Sequence, residues 1–328
     1  MKLLYLLESI RNPVFDFFFS TITHIGEETF FLVLAILFFW CVNKREGYYI
    51  LTVGLAGTVI NQGLKLACRI DRPWVKDPSF HPVESAVPEA TGYSFPSGHT
   101  QNAAGTFGSI ALFARRNAMR IASVVIIALV SFSRMYLGVH TPLDVAVSLA
   151  VAAVLVFGLY PVFSSEGRFE RFMTFVISGA VLLSVALAVY SFTVDPTGID
   201  GANHASAMKN SATLLGCMAG LLLVYPIDRF VTKFETGGKW YAQVIKLALG
   251  LLVVLGIKSG LKSPLEALFG NVYVARGIRY FLIVAFAGAV YPAFFKFFVK
   301  MRISFLDKLT EKITGSKKKV DTDATFTE

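Results

Sequence analysis

Residues 119–162 read MRIASVVIIALVSFSRMYLGVHTPLDVAVSLAVAAVLVFGLYPV. Two apolar runs, 119–139 and 142–162, are each close to the ~20 residues a helix needs to cross the hydrocarbon core of a bilayer. Around their junction lie Ser133, Arg134, His140, Thr141, Pro142 and Asp144. Ionisable side chains are expensive at the ends of apolar helices, so an arginine, a histidine and a carboxylate at this junction need a chemical reason. Proline suits the first position of the second helix, and Thr141 with Asp144 three residues on has the pattern of a capping box. Capping accounts for Thr141, Pro142 and Asp144 but leaves Arg134 and His140 without a role.

The rest of the chain extends the same theme. With 55% hydrophobic residues, 16% charged and 30 phenylalanines among 328 residues, the composition excludes an ordinary soluble domain. The mean hydropathy of +0.60 agrees. Apolar segments at 27–43, 47–68, 99–115, 119–139, 142–162, 171–193, 211–227, 240–259 and 279–299 predict an all-α, polytopic transmembrane helical bundle with about nine spans. Residues 1–20 are expected to form one retained amphipathic helix near the membrane interface, within an interfacial segment 1–26, and not a signal peptide, because Arg11, Asn12 and Pro13 stand where a cleavage site would fall. The polar connection from Trp74 to Phe95 predicts a lid or rim over the neighbouring helix ends. Cys41, Cys68 and Cys217 are too scattered to suggest a disulfide framework or a metal site.

If the spans alternate in direction, two further polar segments reach the same face as Arg134 and His140. Lys65 and Arg72 are seven residues apart, close to two helical turns, so both project from one helix face, and Pro73 marks the helix end. Two such cations can also simply snorkel to the interface. Pro96-Ser97-Gly98-His99 opens the third span. Its unpaired N–H groups and helix dipole favour an anion, although Ser97 can equally serve as an ordinary N-cap. His99 beside the positive end of that dipole suits a group that gives up a proton when an anion is near. A carboxylate within reach of His140 would fix its tautomer and sharpen the other ring nitrogen as a nucleophile, and Arg134 can offer a planar fork to phosphate oxygens.

These segments, Lys65-(x6)-Arg72-Pro73, Pro96-Ser97-Gly98-His99 and Ser133-Arg134-(x5)-His140-(x3)-Asp144, resemble in order and spacing the signature motifs of the type 2 phosphatidic acid phosphatase family, which shares its site with vanadium haloperoxidases and glucose-6-phosphatase. The resemblance covers roughly residues 45–160. It implies that His140 is the nucleophile, forming a phosphohistidine, with Asp144 as its orienting partner. It implies that His99 protonates the departing oxygen and later helps activate water. Lys65, Arg72, Arg134, Ser97 and Gly98 would cradle the phosphoryl oxygens. No metal or other cofactor is implied, and His24, His81 and His204 lie in separate segments without ligand spacing.

The resulting division is an interfacial segment at 1–26, a catalytic core at 27–162, additional transmembrane helices at 163–300 and a basic tail at 301–328. Lys44, Arg45, Arg115, Arg116, Arg120, Arg168, Arg171, Arg229, Lys233, Lys239 and the Lys317–Lys319 run fall opposite the motifs, which makes that side cytoplasmic and the motif face extracytoplasmic or luminal. Residues 301–319 carry six lysines and arginines against two carboxylates, a net +4 within the chain's +9, so no nucleic-acid partner is needed. Lys258, Lys262, Arg276 and Arg279 fall instead on the motif side, where they could steer an anionic headgroup or anchor helix ends. The reading is an integral membrane phosphatase acting on a lipid phosphate or diphosphate, among them polyprenyl diphosphate, phosphatidate, phosphatidylglycerol phosphate or a sphingoid phosphate. The alternatives are a lipid phosphotransferase and a non-catalytic lipid-phosphate binder or transporter, the last of which would not require both His99 and His140.

Overall fold

The computed structural model describes residues 1–307 and 310, so most of the basic tail lies outside the described residues. Among the described residues the chain is helical and contains no strand. Its helices are α1 (Lys2–Ser9), α2 (Pro13–Thr23), α3 (Glu28–Leu37), α4 (Lys44–Cys68), α5 (Pro73–Lys76), α6 (Gly98–Phe113), α7 (Asn117–Tyr136), α8 (Pro142–Phe163), α9 (Glu166–Thr193), α10 (Gly201–Ile227), α11 (Trp240–Gly260), α12 (Lys262–Phe269), α13 (Val272–Ala285) and α14 (Phe295–Lys300).

Among these, seven helical stretches are long and apolar enough to cross a bilayer, or eight if the bent pair 13–26 and 28–42 forms one span. The difference from nine has two physical sources. The first expected span begins at a 52° bend and continues an earlier helix. The third, α6, is 16 residues long with ten of them buried, including Thr100, Gln101, Asn102, Thr106 and Ser109, so protein and not lipid surrounds it. Its polar residues would be untenable against acyl chains.

The amino-terminal stretch is two helices, not one. Asn12 ends the first by capping the second, its Oδ1 accepting from the Val14 and Phe15 N–H groups at 3.1 Å, with Pro13 at the first helical position. The Arg11 side chain leaves the junction to reach the carbonyls of Tyr136 (3.0 Å) and His81. It packs where only glycine fits: Gly138 has φ +76°, and a Cβ there would lie 2.6 Å from Arg11 Nη2 and 2.8 Å from the Phe80 ring. That glycine lets the chain turn from α7 towards His140 while the amino terminus closes over it.

A large core joins Trp40, Tyr48, Tyr49, Phe163, Tyr225, Phe234, Tyr291 and Phe295 towards one end of the bundle. A second, around Phe31, Ile50, Val59, Phe107, Val130 and Met218, lies among α3, α4, α6, α7 and α10. Further along the chain, α10 and α13 meet through glycine. A Cβ at Gly216 would come within 2.1 Å of the Gly277 carbonyl oxygen, so any side chain there would force the helices apart.

Candidate active site

The sequence motifs converge because three chain reversals bring helix ends together. At Arg69 the backbone turns left-handed (φ 50°, ψ 40°), ending α4 before Arg72 and Pro73. Ser97 begins α6, its Oγ accepting from Thr100 N at 3.4 Å. Thr141 begins α8 with a complete capping box: Thr141 Oγ1 accepts from Asp144 N at 3.3 Å, and Asp144 Oδ2 accepts from Thr141 N at 2.7 Å. The structural role foreseen for Asp144 is therefore real, and it coexists with a second one.

That second role concerns His140. The imidazole is buried, with Nδ1 lying 3.4 Å from Asp144 Oδ2, although this approach lacks hydrogen-bond alignment. On the other side, Arg72 Nη1 donates to Nε2 at 3.0 Å. An arginine cannot accept, so Nε2 carries the lone pair and the neutral ring holds its proton on Nδ1, facing the carboxylate. Ser94 Oγ donates to the same carboxylate oxygen at 2.6 Å and holds it in place. Burial, and then the charges of Arg72, Lys65 and Arg134, push the His140 imidazole well below its ordinary pKa range.

Lys65 and Arg72 are held largely by the 74–95 connection. Lys65 Nζ donates to the Tyr93 carbonyl and, at 3.4 Å, to that of Ser94. Arg72 donates to Thr91 O (2.9 Å), Gly92 O (3.1 Å) and Val139 O (2.9 Å). Arg134 is only 1% exposed and uses Nη1 to reach Thr23 Oγ1 at 2.7 Å, while its Nε and Nη2 have no partner. Buried donors left open in this way are costly unless an anion completes them. His99 Nε2 is likewise unpartnered.

These groups open into one cavity of about 270 Å³, whose lining includes Lys65, Arg72, Gly98, His99, Arg134 and His140. The space admits a phosphate or diphosphate group. Asp144 and Ser97 stand outside the lining: the first lies behind His140, and the second spends its side chain on the α6 cap and donates its N–H to Asp144 O at 3.2 Å. Residues that the motifs do not contain complete the wall. Asn61 and Gln101 are each 2% exposed, and neither side-chain amide finds a partner. Asn61 sits one helical turn before Lys65, and Gln101 two residues after His99, so polar side chains inside apolar helices were the available signal. Gly26, Glu27 and Glu28 also reach the cavity, and Asn102 Nδ2 fastens Gly26 through its carbonyl at 3.2 Å. Nothing in the local sequence marks the bend at 24–28 as part of this site.

Residues 45–168 match the PAP2 superfamily, and residues 209–303 match the transmembrane extension of PAP2 superfamily phosphatases. Undecaprenyl-diphosphatase BcrC of Bacillus subtilis is 32% identical over 151 residues, which is 45% of this chain and 75% of that protein. Phosphatidylglycerophosphatase B of the same organism is 31% identical over 163 residues, again 45% of this chain and 75% of the relative. Mouse sphingosine-1-phosphate phosphatase 1 is 23% identical over 272 residues, covering 78% of this chain and 62% of the relative. No solved structure matches. The converging motifs and these matches give one conclusion: the chain belongs to the PAP2 superfamily, with a PAP2 segment followed by the superfamily's transmembrane extension.

Proposed function

We propose that this protein is a multi-pass membrane phosphatase that cleaves a lipid phosphate or diphosphate through a covalent intermediate on His140. The observation that carries the reading is the His140 imidazole, with Nδ1 towards Asp144 and Nε2 towards a cavity where Arg134 and His99 keep unpartnered nitrogens. The substrates named for the relatives, an undecaprenyl diphosphate, a phosphatidylglycerophosphate and sphingosine 1-phosphate, share a phosphate at the end of an apolar tail. A cavity among helix ends receives that group while the tail stays among the helices or in lipid.

In the first step the Nε2 lone pair attacks phosphorus. The bond from phosphorus to the leaving oxygen breaks, and His99, protonated once the anionic phosphate sits among the cations, gives its proton to that oxygen. The products are the alcohol, or a lipid monophosphate from a diphosphate, and a phosphohistidine. Arg134, Lys65, Arg72 and the Gly98 end of α6 face the equatorial oxygens, where charge accumulates. For this to happen Arg72 releases Nε2 and turns its donor to the phosphate. In the second step His99 takes a proton from water, the water oxygen attacks phosphorus, and the P–N bond breaks to give inorganic phosphate and free His140.

The catalytic core is assigned to residues 27–162, with 1–26 at the interface and 163–300 as the additional helices. The arginines and lysines opposite the motifs support an extracytoplasmic or luminal face for the cavity. Phosphate release from a panel of lipid mono- and diphosphates by the purified protein tests the activity. Release from at least one of them, lost in His140→Ala, is the expected result; binding without release from any would favour the non-catalytic alternative.

A further inference from the structure

The transmembrane extension carries a second basic pocket that the catalytic reading leaves unused. Lys258, Lys262, Arg276 and Arg279, with Leu255, Ser259 and Tyr280, line a cavity of about 500 Å³. No carboxylate belongs to this lining, and among the described residues none of the four cations forms an ion pair. Arg279 is 6% exposed, and its Nε has no hydrogen-bond partner. Arg276 is anchored by Nε, which donates to Thr213 Oγ1 at 2.7 Å. Both guanidinium groups lie over the Tyr280 ring, at 5.4 and 5.8 Å from its centroid.

Helix packing holds this arrangement in place. Gly277, between the two arginines in sequence, is pressed against Ala212 and Gly216 of α10, which fixes the rotation of α13 and carries Arg276 to Thr213. Two guanidinium groups sharing one ring, with two lysines close by, repel one another unless an anion lies between them. Interfacial snorkelling explains lysines whose heads reach water, but it does not explain an arginine buried with an open donor.

The walls indicate which anion. Leu255 lines the cavity and is 58% exposed, and Leu252, one turn earlier on the same helix, is 66% exposed. An apolar flank open to the outside of a membrane helix suits acyl chains, while the four cations suit a phosphate. We infer that Lys258, Lys262, Arg276 and Arg279 form a second phosphate site, which holds the headgroup of an anionic phospholipid drawn from the bilayer. The site lies close to the catalytic cavity, since Thr213, which anchors Arg276, follows Asn210 of that cavity's wall by one turn of α10. It contains no histidine or carboxylate to carry out chemistry, so it binds and does not cleave.

The test reads binding, so its failure is separable from failure of the catalytic reading. Native mass spectrometry of the detergent-purified full chain counts retained phosphatidylglycerol, a phosphodiester. The comparison is between wild type, the variant with Lys258→Gln, Lys262→Gln, Arg276→Gln and Arg279→Gln together, and the milder pair Lys258→Gln with Lys262→Gln. Wild type is expected to keep one more lipid than the fourfold variant, and the pair to weaken retention at least about threefold. Turnover of p-nitrophenyl phosphate, a small substrate without a tail, should stay within about twofold of wild type in the pair, reporting an intact fold. Should the fourfold variant fail to fold, the pair alone decides. Retention in millimolar inorganic phosphate marks the lipid headgroup as the ligand; displacement of the lipid by it makes free phosphate the ligand and overturns the lipid assignment. Equal lipid retention by wild type and the folded variants overturns the site itself.

Discussion

The two basic pockets hold their cations in different ways. In the catalytic cavity, Lys65 and Arg72 are clamped by backbone carbonyls at 91–94 and 139, and Arg134 by Thr23. In the extension, Arg276 is tied to Thr213, and the other three cations have no side-chain hydrogen bond among the described residues. Rigid cations can be placed to favour a transition state, whose geometry is narrower than that of a bound phosphate. Loosely held cations can gather an anion without discriminating between ground state and transition state. Only the first pocket adds two imidazoles, one of them backed by Asp144, so chemistry should be lost from one pocket and affinity from the other.

His140→Ala should produce the largest effect, a fall in kcat of about 10⁴-fold or more on every substrate, because the nucleophile is gone. Vanadate binding, read by calorimetry, should remain measurable, since the cationic cradle persists. A loss of only about tenfold, or ~1.4 kcal/mol in barrier, would remove His140 from the nucleophilic role. Arg134→Gln should cost about 10²–10³-fold in kcat, the scale of one preorganised donor to a developing anion. An effect confined to KM would make Arg134 a binding group of the same kind as those in the extension.

His99→Ala sharpens the contrast through the leaving group. The loss should be about 10²–10⁴-fold on alkyl phosphates and much smaller on aryl phosphates, whose oxygen leaves without a proton. Equal losses on the two classes would contradict the acid assignment. The pH dependence is a smaller effect with a definite sign. Neutral imidazole is the nucleophilic form, and the depressed His140 pKa keeps it neutral at pH values where an ordinary histidine is charged. The acid limb of kcat/KM due to His140 should therefore lie below the ordinary histidine range and move up in Arg72→Gln, which removes a neighbouring positive charge. An acid limb that stays fixed in Arg72→Gln would separate it from His140.

The sequence made the motif residues legible because their side chains are what the chemistry uses. Lys65, Arg72, His99, Arg134 and His140 all reach one cavity. Less legible was how they are held. A carbonyl at Thr91 or Tyr93 carries no residue signature, so the clamp supplied by the 74–95 connection could be read only as a lid. Thr23 and Gly26 reach the site through a bend that follows from tertiary packing, not from local pattern. The helical segments were visible from apolar run length, but run length cannot tell a helix wrapped in protein from one wrapped in lipid. The burial of Gln101, Asn102 and Thr106 on α6 supplies that distinction.

The central claim is the covalent step on His140, and trapping the intermediate tests it most directly. Purified enzyme mixed with a lipid phosphate labelled at phosphorus, then quenched within milliseconds in alkali, should carry label that survives base and is released by acid, as a phosphorus–nitrogen bond requires. Digestion should place that label on the peptide containing His140, and His140→Ala should show none. Label on another residue, or full turnover by His140→Ala, would contradict the account.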